Sequence, residues 1–557
     1  MCLIANIWAH YSQQDYSLNN HWVKTLNSEL LRVLPIDARV IVEISDRPNP
    51  DLKSAYLRNN PECQYWQISP HQDLTKSTIC DSMGRIDVLV YGCVNSPDQD
   101  FGKLVNDYSR WLKPNGQFIA DIPNSQYWRR LVSLPLDKPQ LSGVGLSLQE
   151  IRSHFNQAGL YIYEVRTKGD RTWEFNQFLE RQKSANPSTV VYLKEYRAQT
   201  VAENYLVRGI KSSHPPRRLL IQTAIMAPTG CDRIRVLDPD RFSATIPGVR
   251  TFSSVRSARI IPTIPQEAKI FIWQRTIMSA GEHLSVLKRL LQENYLIIAE
   301  IDDNPLRRRE YADHNYLSYR GCHGVQTSTK PLGVFLQQFN PNIAVFPNQL
   351  TEVSPPRHNY DNEKISLFFG ALNREKDWEP IMASLNKVLS ANSGRVLVRV
   401  VHDRQFFEAL ATDQKTFEPF CHYNRYLEIL QNSDIALLPL TPTPVNLMKS
   451  DLKFLECAGS GVAVLASPTV YELSIQPDKT GLIYRTIREF ETQLNRLINN
   501  HTLRRQIAEN AYNWVKQNRL LCHHYQQRHR WYLEMCDRLP ELNRQLQQRV
   551  PELFNNP

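Results

Sequence analysis

Apolar, β-branched runs alternate with amphipathic segments in three successive blocks of this chain, and that alternation restricts it to folds built on parallel sheets. A short run buried on both faces reads as a central strand, and a one-face helical pattern after it supplies the crossover. In the first block, residues 39–44 (RVIVEI), 87–91 (DVLVY) and 117–122 (QFIADI) are strands. Residues 101–112 and 147–158 are helices, the second capped by Ser147 and stopped by Gly159. In the second block the strands are 219–225, 269–273, 296–301, 325–327 and 343–346, and the helix 281–293 carries Leu284, Leu287 and Leu291 on one face. The third block repeats the logic, with strands at 365–369, 395–401, 435–438, 463–466 and 481–484.

The division that follows is a Rossmann-like domain over 1–170, a helical linker over 171–215, two further domains over 216–350 and 351–500, and a helical tail over 501–557. Within the linker, residues 188–208 read as helix, and Pro215 and Pro216 break it. The fold class is α/β. The second and third domains are expected to face each other, with ligands held at the carboxyl ends of their strands.

Composition narrows the partners. Lysine and arginine number 66 against 56 acidic residues, a net charge of +10 spread along the chain. That suits an anionic ligand or a membrane surface and is too diffuse to indicate nucleic acid. The 10 cysteines form no C-x-x-C pair, which argues against a zinc knuckle and for reduced thiols in a cytoplasmic protein. The start, MCLIANIWAHYSQQD, is a poor signal peptide, and no run approaches the ~18 apolar residues of a membrane span.

The third block holds the residues suited to chemistry. Residues 449–458 read as a helix that starts at the cleft, with Ser450 and Asp451 at its first turn and Gly459-Ser460-Gly461 at its end. Free N–H groups and the positive end of the helix dipole favour a diphosphate there, with Lys453, one turn from Lys449, either a phosphate ligand or surface charge. The run Phe368-Phe369-Gly370-Ala371-Leu372-Asn373-Arg374-Glu375-Lys376-Asp377 ends a strand at a glycine and then delivers basic groups, either toward a ligand or as a solvated charge cluster.

With DIALLPL at 434–440, these residues resemble the retaining GT-B glycosyltransferases that use nucleotide-activated sugars, over 216–520. The resemblance implies that Glu456, the later of two family glutamates, holds the ribose hydroxyls; otherwise it pairs with a lysine. The earlier glutamate falls on Met448, with Lys449 beside it. Arg374 and Lys376, spaced more tightly than the family's Arg-x-x-x-x-Lys, would neutralise the departing diphosphate, with Gly370 and Asn373 lining the donor. Tyr423, with Phe420 and His422, contacts the base or packs the core. Gly230 lies in a loop under the donor, and residues 345–348 form the hinge. Asp303 faces the acceptor sugar or caps a helix, Arg275 holds an acidic acceptor or a phosphate, and His314 and His323 are either bases or structural. The implied chemistry needs no metal.

The first block resembles class I methyltransferases that use S-adenosylmethionine, through Glu43 at a strand end, LKPNG at 112–116 and Ile122-Pro123-Asn124. Residues 43–50 contain no glycine and two prolines, and residues 65–69 carry no acid, so S-adenosylmethionine is not expected as a cofactor. The expected activity is metal-independent transfer of a sugar from a nucleotide-sugar donor to a polysaccharide (of the cell envelope, for instance), lipid-linked or protein acceptor. The alternatives are a methyltransferase with a sugar-binding second half and a non-catalytic scaffold. Arg528, Arg530 and Arg538 with Trp531 and Tyr532 make either a peripheral membrane-binding surface or a packed amphipathic helix.

Overall fold

Strand β1 (Val40–Ile44) is almost wholly buried because it pairs in parallel on both edges, with β2 (Gln64–Ile68) and β3 (Ile86–Tyr91). The computed structural model to which it belongs describes residues 28–45, 49–70, 84–92, 100–129, 145–168, 172–182, 197–228, 231–355 and 364–555. The first sheet continues through β4 (Leu112–Pro123), β5 (Tyr161–Lys168) and β6 (Asn204–Ile210), in the order β2-β1-β3-β4-β6-β5. Strand β6 runs antiparallel to both β4 and β5. Of the expected helix over 188–208, residues 188–196 lie outside the described residues, Arg197–Thr200 is helical, and the end is strand β6. Pairing on both edges and burial from Tyr205 onward override the local pattern. The helix Leu148–Gln157 starts in a capping box, in which the Glu150 N–H donates to Ser147 Oγ and the Ser147 N–H donates to the Glu150 carboxylate.

The second sheet comprises β7 (Arg218–Ile225), β8 (Val249–Val255), β9 (Glu267–Gln274), β10 (Leu296–Ile301), β11 (Gly324–Thr327) and β12 (Ile343–Val345), all parallel, in the order β12-β11-β10-β9-β7-β8. The third comprises β13 (Ile365–Gly370), β14 (Val396–Val401), β15 (Lys415–Glu418), β16 (Ile435–Leu438), β17 (Ala463–Ala466) and β18 (Leu482–Ile483), all parallel, in the order β15-β14-β13-β16-β17-β18. That order, 3-2-1-4-5-6 within the sheet, is the doubly wound one, and its direction reverses between β13 and β16. The second sheet reverses between β7 and β9. Crevices for ligands open at such reversals, beyond the carboxyl ends of the strands. The chain is therefore an α/β protein with three Rossmann-like sheets.

The tail doubles back. Helix His501–Asn518 packs on the third domain through Ala511 and Val515, whereas Tyr525–Asp537 and Leu539–Arg549 bury Tyr532, Met535 and Leu542 against Ile221, Ile270 and Ile298 of the second sheet. Arg528 and Tyr532 are buried there, as the packed-helix reading of this stretch expects, while Arg530 and Arg538 are exposed. One hydrophobic cluster joins Ile41 and Val90 of the first sheet to Leu350 and Val353 of the linker between the second and third domains, and to Phe368 and Leu455 of the third. Among the described residues no helix is long and apolar enough to cross a membrane.

Candidate active site

At the reversal of the third sheet, β13 ends in Gly370 and the chain turns at Asn373, which takes a left-handed conformation (φ 54°), into the helix Glu375–Ala391. A Cβ on Gly370 would lie 2.6 Å from the Phe368 ring and 2.9 Å from Tyr426, so neighbouring aromatics alone account for glycine there. Arg374 donates to Asp377 Oδ2 at 3.0 Å and to Asn446 Oδ1 at 3.4 Å. Asp377 Oδ1 in turn accepts from the Thr441 N–H and from Asn446 Nδ2, each at 2.9 Å. Asp377 and Asn446 are buried and Arg374 half-buried, so these residues form a network that stitches the loop after β13 to the loop after β16. Lys376 is exposed, and it is its carbonyl that meets Thr441.

The helix after β16 starts at Leu452, three residues later than expected, because a 3-10 turn at Asn446–Met448 is followed by Lys449 in an extended conformation. Ser450 and Asp451 therefore precede the helix, and both have partners within the protein. Ser450 Oγ accepts from Asn348 Nδ2 at 2.8 Å, and Asp451 is held by Arg519 at 2.6 and 2.9 Å and by Ser474. Glu456, 5% exposed, accepts from the Tyr426 hydroxyl at 3.1 Å and is also bonded to Tyr423. Burial pushes its carboxyl above the usual range, against the pull of Lys453 and the two hydroxyls. Lys453 lies over the Tyr426 ring, 5.2 Å from its centre.

Those tyrosines belong to an aromatic stack that the sequence reading only partly found. His402, directly after β14, has φ 75° and stacks on Phe420 at 5.0 Å and on Tyr426 at 6.2 Å, while Tyr423 stacks on Tyr426 at 6.0 Å. Burial, with Lys453 nearby, lowers the His402 pKa to about 4, so its ring is neutral. Phe420 is 59% exposed. From the opposite domain Arg233 lies over Tyr423 at 5.0 Å and donates to Asn424 at 3.1 Å, which connects the two lobes. A histidine just past a strand end was the available signal for His402.

The facing edge of the second sheet carries the acids. Arg275 (φ 48°) donates to Asp302 at 2.6 Å, and Asp303 accepts from Arg307 at 3.0 Å. Lys449 reaches Asp303 across the seam at 3.8 Å. Burial works against the Asp303 charge, but Lys449 and Arg307 hold its carboxyl below the usual range. Met448 is also anchored across the seam: Asn304 Nδ2 donates to its sulfur at 3.0 Å and the Thr329 hydroxyl to its carbonyl at 2.8 Å. Glu300 is taken by Arg235 at 2.7 Å, and Arg235 also donates to the Phe346 carbonyl and to Asn348 in the linker. Gly230 lies outside the described residues. His323 is structural: its Nδ1 accepts from the Ile297 N–H at 2.8 Å, its Nε2 meets Asn543 at 2.9 Å, and burial lowers its pKa to about 4. His314 is exposed.

In the first sheet Glu43 is closed off at the end of β1. It accepts from the Asn49 N–H, the Tyr65 hydroxyl and Gln67 Nε2 at 3.2, 3.1 and 2.9 Å. Among the described residues no group of three or more His, Cys, Asp or Glu side chains is placed to hold a metal ion.

No curated protein matches the chain. Among solved structures it is similar to sucrose-phosphate synthase from Thermosynechococcus elongatus, at 12% identity and TM-score 0.42, over 57% of this chain and 99% of that one. It is similar to Anabaena HepE in complex with UDP-glucose, at 12% identity and TM-score 0.41, over 57% and 99%. S. aureus TarM matches at 11% identity and TM-score 0.39, over 49% of this chain and 55% of that one, so about half the length of TarM is spanned. Residues 387–534, from the first helix of the third domain into the tail, match the family described as glycosyl transferase-like.

Proposed function

We propose that the chain transfers a sugar from a nucleotide-activated donor to a saccharide, lipid-linked or protein acceptor, with the donor in the seam between the second and third sheets. The observation that carries this reading is the meeting of Arg374, Lys449 and Asp303 beside the reversals of two facing sheets. The glycosyl transferase-like match over the donor side of that seam supports it. On this reading the base stacks beside Phe420 and His402, Glu456 exchanges tyrosine hydroxyls for the ribose diol, and Arg374 neutralises the leaving diphosphate.

The bond between the anomeric carbon and the diphosphate oxygen breaks, and the acceptor oxygen bonds to that carbon. The acceptor proton passes to the departing phosphate, so no protein base is required and configuration is retained. Fixed cations then serve where other enzymes place a metal ion.

The first domain is a scaffold on this reading, without S-adenosylmethionine. In support, Glu43 is already engaged by three donors of its own domain. One feature favours a wholly non-catalytic scaffold: Met448 replaces the earlier glutamate and is tied to Asn304 and Thr329. Turnover decides between the two. Incubation with a panel of UDP-, GDP- and ADP-sugars is expected to release nucleoside diphosphate from one of them, and R374A to lower that release by roughly a hundredfold. Release from none, or equal release by both proteins, contradicts the proposal.

A further inference from the structure

Lys449 stands where the charged loops of the two lobes meet, and its surroundings do not satisfy it. It follows the turn Asn446–Met448, whose last residue is bonded to Asn304 and Thr329 of the opposite lobe, so its place in the seam is fixed. Its side chain is only 15% exposed. The carboxylate it reaches among the described residues, Asp303, is 3.8 Å away and already holds Arg307 at 3.0 Å. Asp377, the other acid that acts on it, is committed to Arg374, Thr441 and Asn446. Its remaining charged neighbours, Arg374 and Arg307, repel it. An ammonium withdrawn from water and faced by two guanidiniums is costly to keep charged unless an anion completes the set. Burial first, and Arg374 next, accordingly lower its pKa to about 8.

We propose that Lys449 binds the donor's diphosphate, exchanging its long contact with Asp303 for a phosphate oxygen, and forms with Arg374 the cation pair that holds the leaving group. This inference rests on the glycosyl-transfer reading above. It gives Lys449 the part that the family resemblance gives to Lys376, which is exposed at the start of the helix Glu375–Ala391 and meets Thr441 through its carbonyl. The exchange leaves Asp303 to Arg307, so the free protein stores its positive charge in a cross-lobe contact that an incoming anion replaces.

Calorimetric titration of UDP, GDP, ADP and pyrophosphate into the full chain, and into K449Q, K449R and D303N, tests this. For whichever probe binds the unaltered protein, K449Q is expected to weaken binding roughly tenfold or more, and K449R to retain most of it. K449Q should also lower the salt dependence of binding, while the corresponding nucleoside binds both proteins alike. D303N, which frees Lys449, is expected to bind as tightly as the unaltered chain or more tightly. Binding by K449Q within about twofold of the unaltered protein overturns the assignment and leaves glycosyl transfer standing. Absence of binding to every probe by the unaltered chain overturns both. Melting temperatures without nucleotide separate lost contact from lost fold. If K449Q does not fold, weaker binding by a folded D303N overturns the assignment, and equal or tighter binding supports it.

Discussion

Asp377 Oδ1 accepts the Thr441 N–H at 2.9 Å, and through that bond the loop after β13 is fixed to the loop after β16. The same carboxylate orients Arg374 at 3.0 Å, so one buried acid both closes the switch point and aims a cation. Replacing it with alanine removes one acceptor each from the Thr441 N–H, Asn446 and Arg374. D377A is expected to lose about 2–4 kcal/mol of stability, measured as a shift in urea midpoint, and to lower nucleotide affinity. An unchanged midpoint would show that the network does not hold the site.

Glu456 separates a binding role from a folding role. Its carboxyl is buried, accepts from tyrosine hydroxyls and is raised above the usual range by that burial. E456Q keeps the shape and an accepting oxygen, so unfolding should change by less than about 1 kcal/mol. A neutral amide serves a ribose diol less well than a carboxylate, so nucleotide affinity should fall roughly tenfold. Loss of stability without loss of affinity would mark Glu456 as a packing residue.

Acid should destabilise the protein through its buried histidines. His323 and His402 are both held neutral, with pKa values lowered by burial to about 4 from 6.5. The unfolded chain takes up protons below about pH 6.5 that the folded chain refuses until about pH 4, so stability falls as pH drops through that window. For His323, which is fully buried, the loss approaches about 3 kcal/mol. Urea midpoints at pH 7 and pH 4.5, with an NMR titration of the His323 ring, check this. A ring that titrates near 6.5 would contradict the burial argument.

The first domain braces the seam. Asn59 Nδ2 donates to the Thr351 carbonyl at 3.3 Å and Arg58 pairs with Glu352 at 3.4 Å, both on the peptide between the two facing domains. N59A leaves a buried carbonyl without that donor and should cost about 1 kcal/mol of stability. Because that peptide sets how the lobes meet, nucleotide affinity should fall as well. A stability loss with unaltered affinity would confine the first domain to packing.

The strands that were legible in the sequence are those buried on both edges, such as β1, β10 and β16, whose apolar runs are continuous. Strands β8 and β15 lie at sheet edges and are half exposed, so their mixed residues give no run to recognise. Strand β6 carries Tyr205, Leu206 and Val207 after a polar stretch, and only pairing with β4 and β5 makes it a strand. At the site, Arg374 and Glu456 were nominated by the family resemblance, from their place after a strand and on a helix. Lys449 was not, because its meaning depends on Asp303, which the fold alone brings to the other side of the seam.

Thermal unfolding of the full chain with UDP, GDP and ADP in turn tests the central claim most directly. Binding at a hundredfold excess over Kd stabilises a fold by about 2.7 kcal/mol. The account predicts that one nucleotide raises Tm by a readily measured amount and that R374A and E456Q each diminish the rise. No shift with any nucleotide, or the same shift in all three proteins, would contradict a diphosphate seated between these lobes.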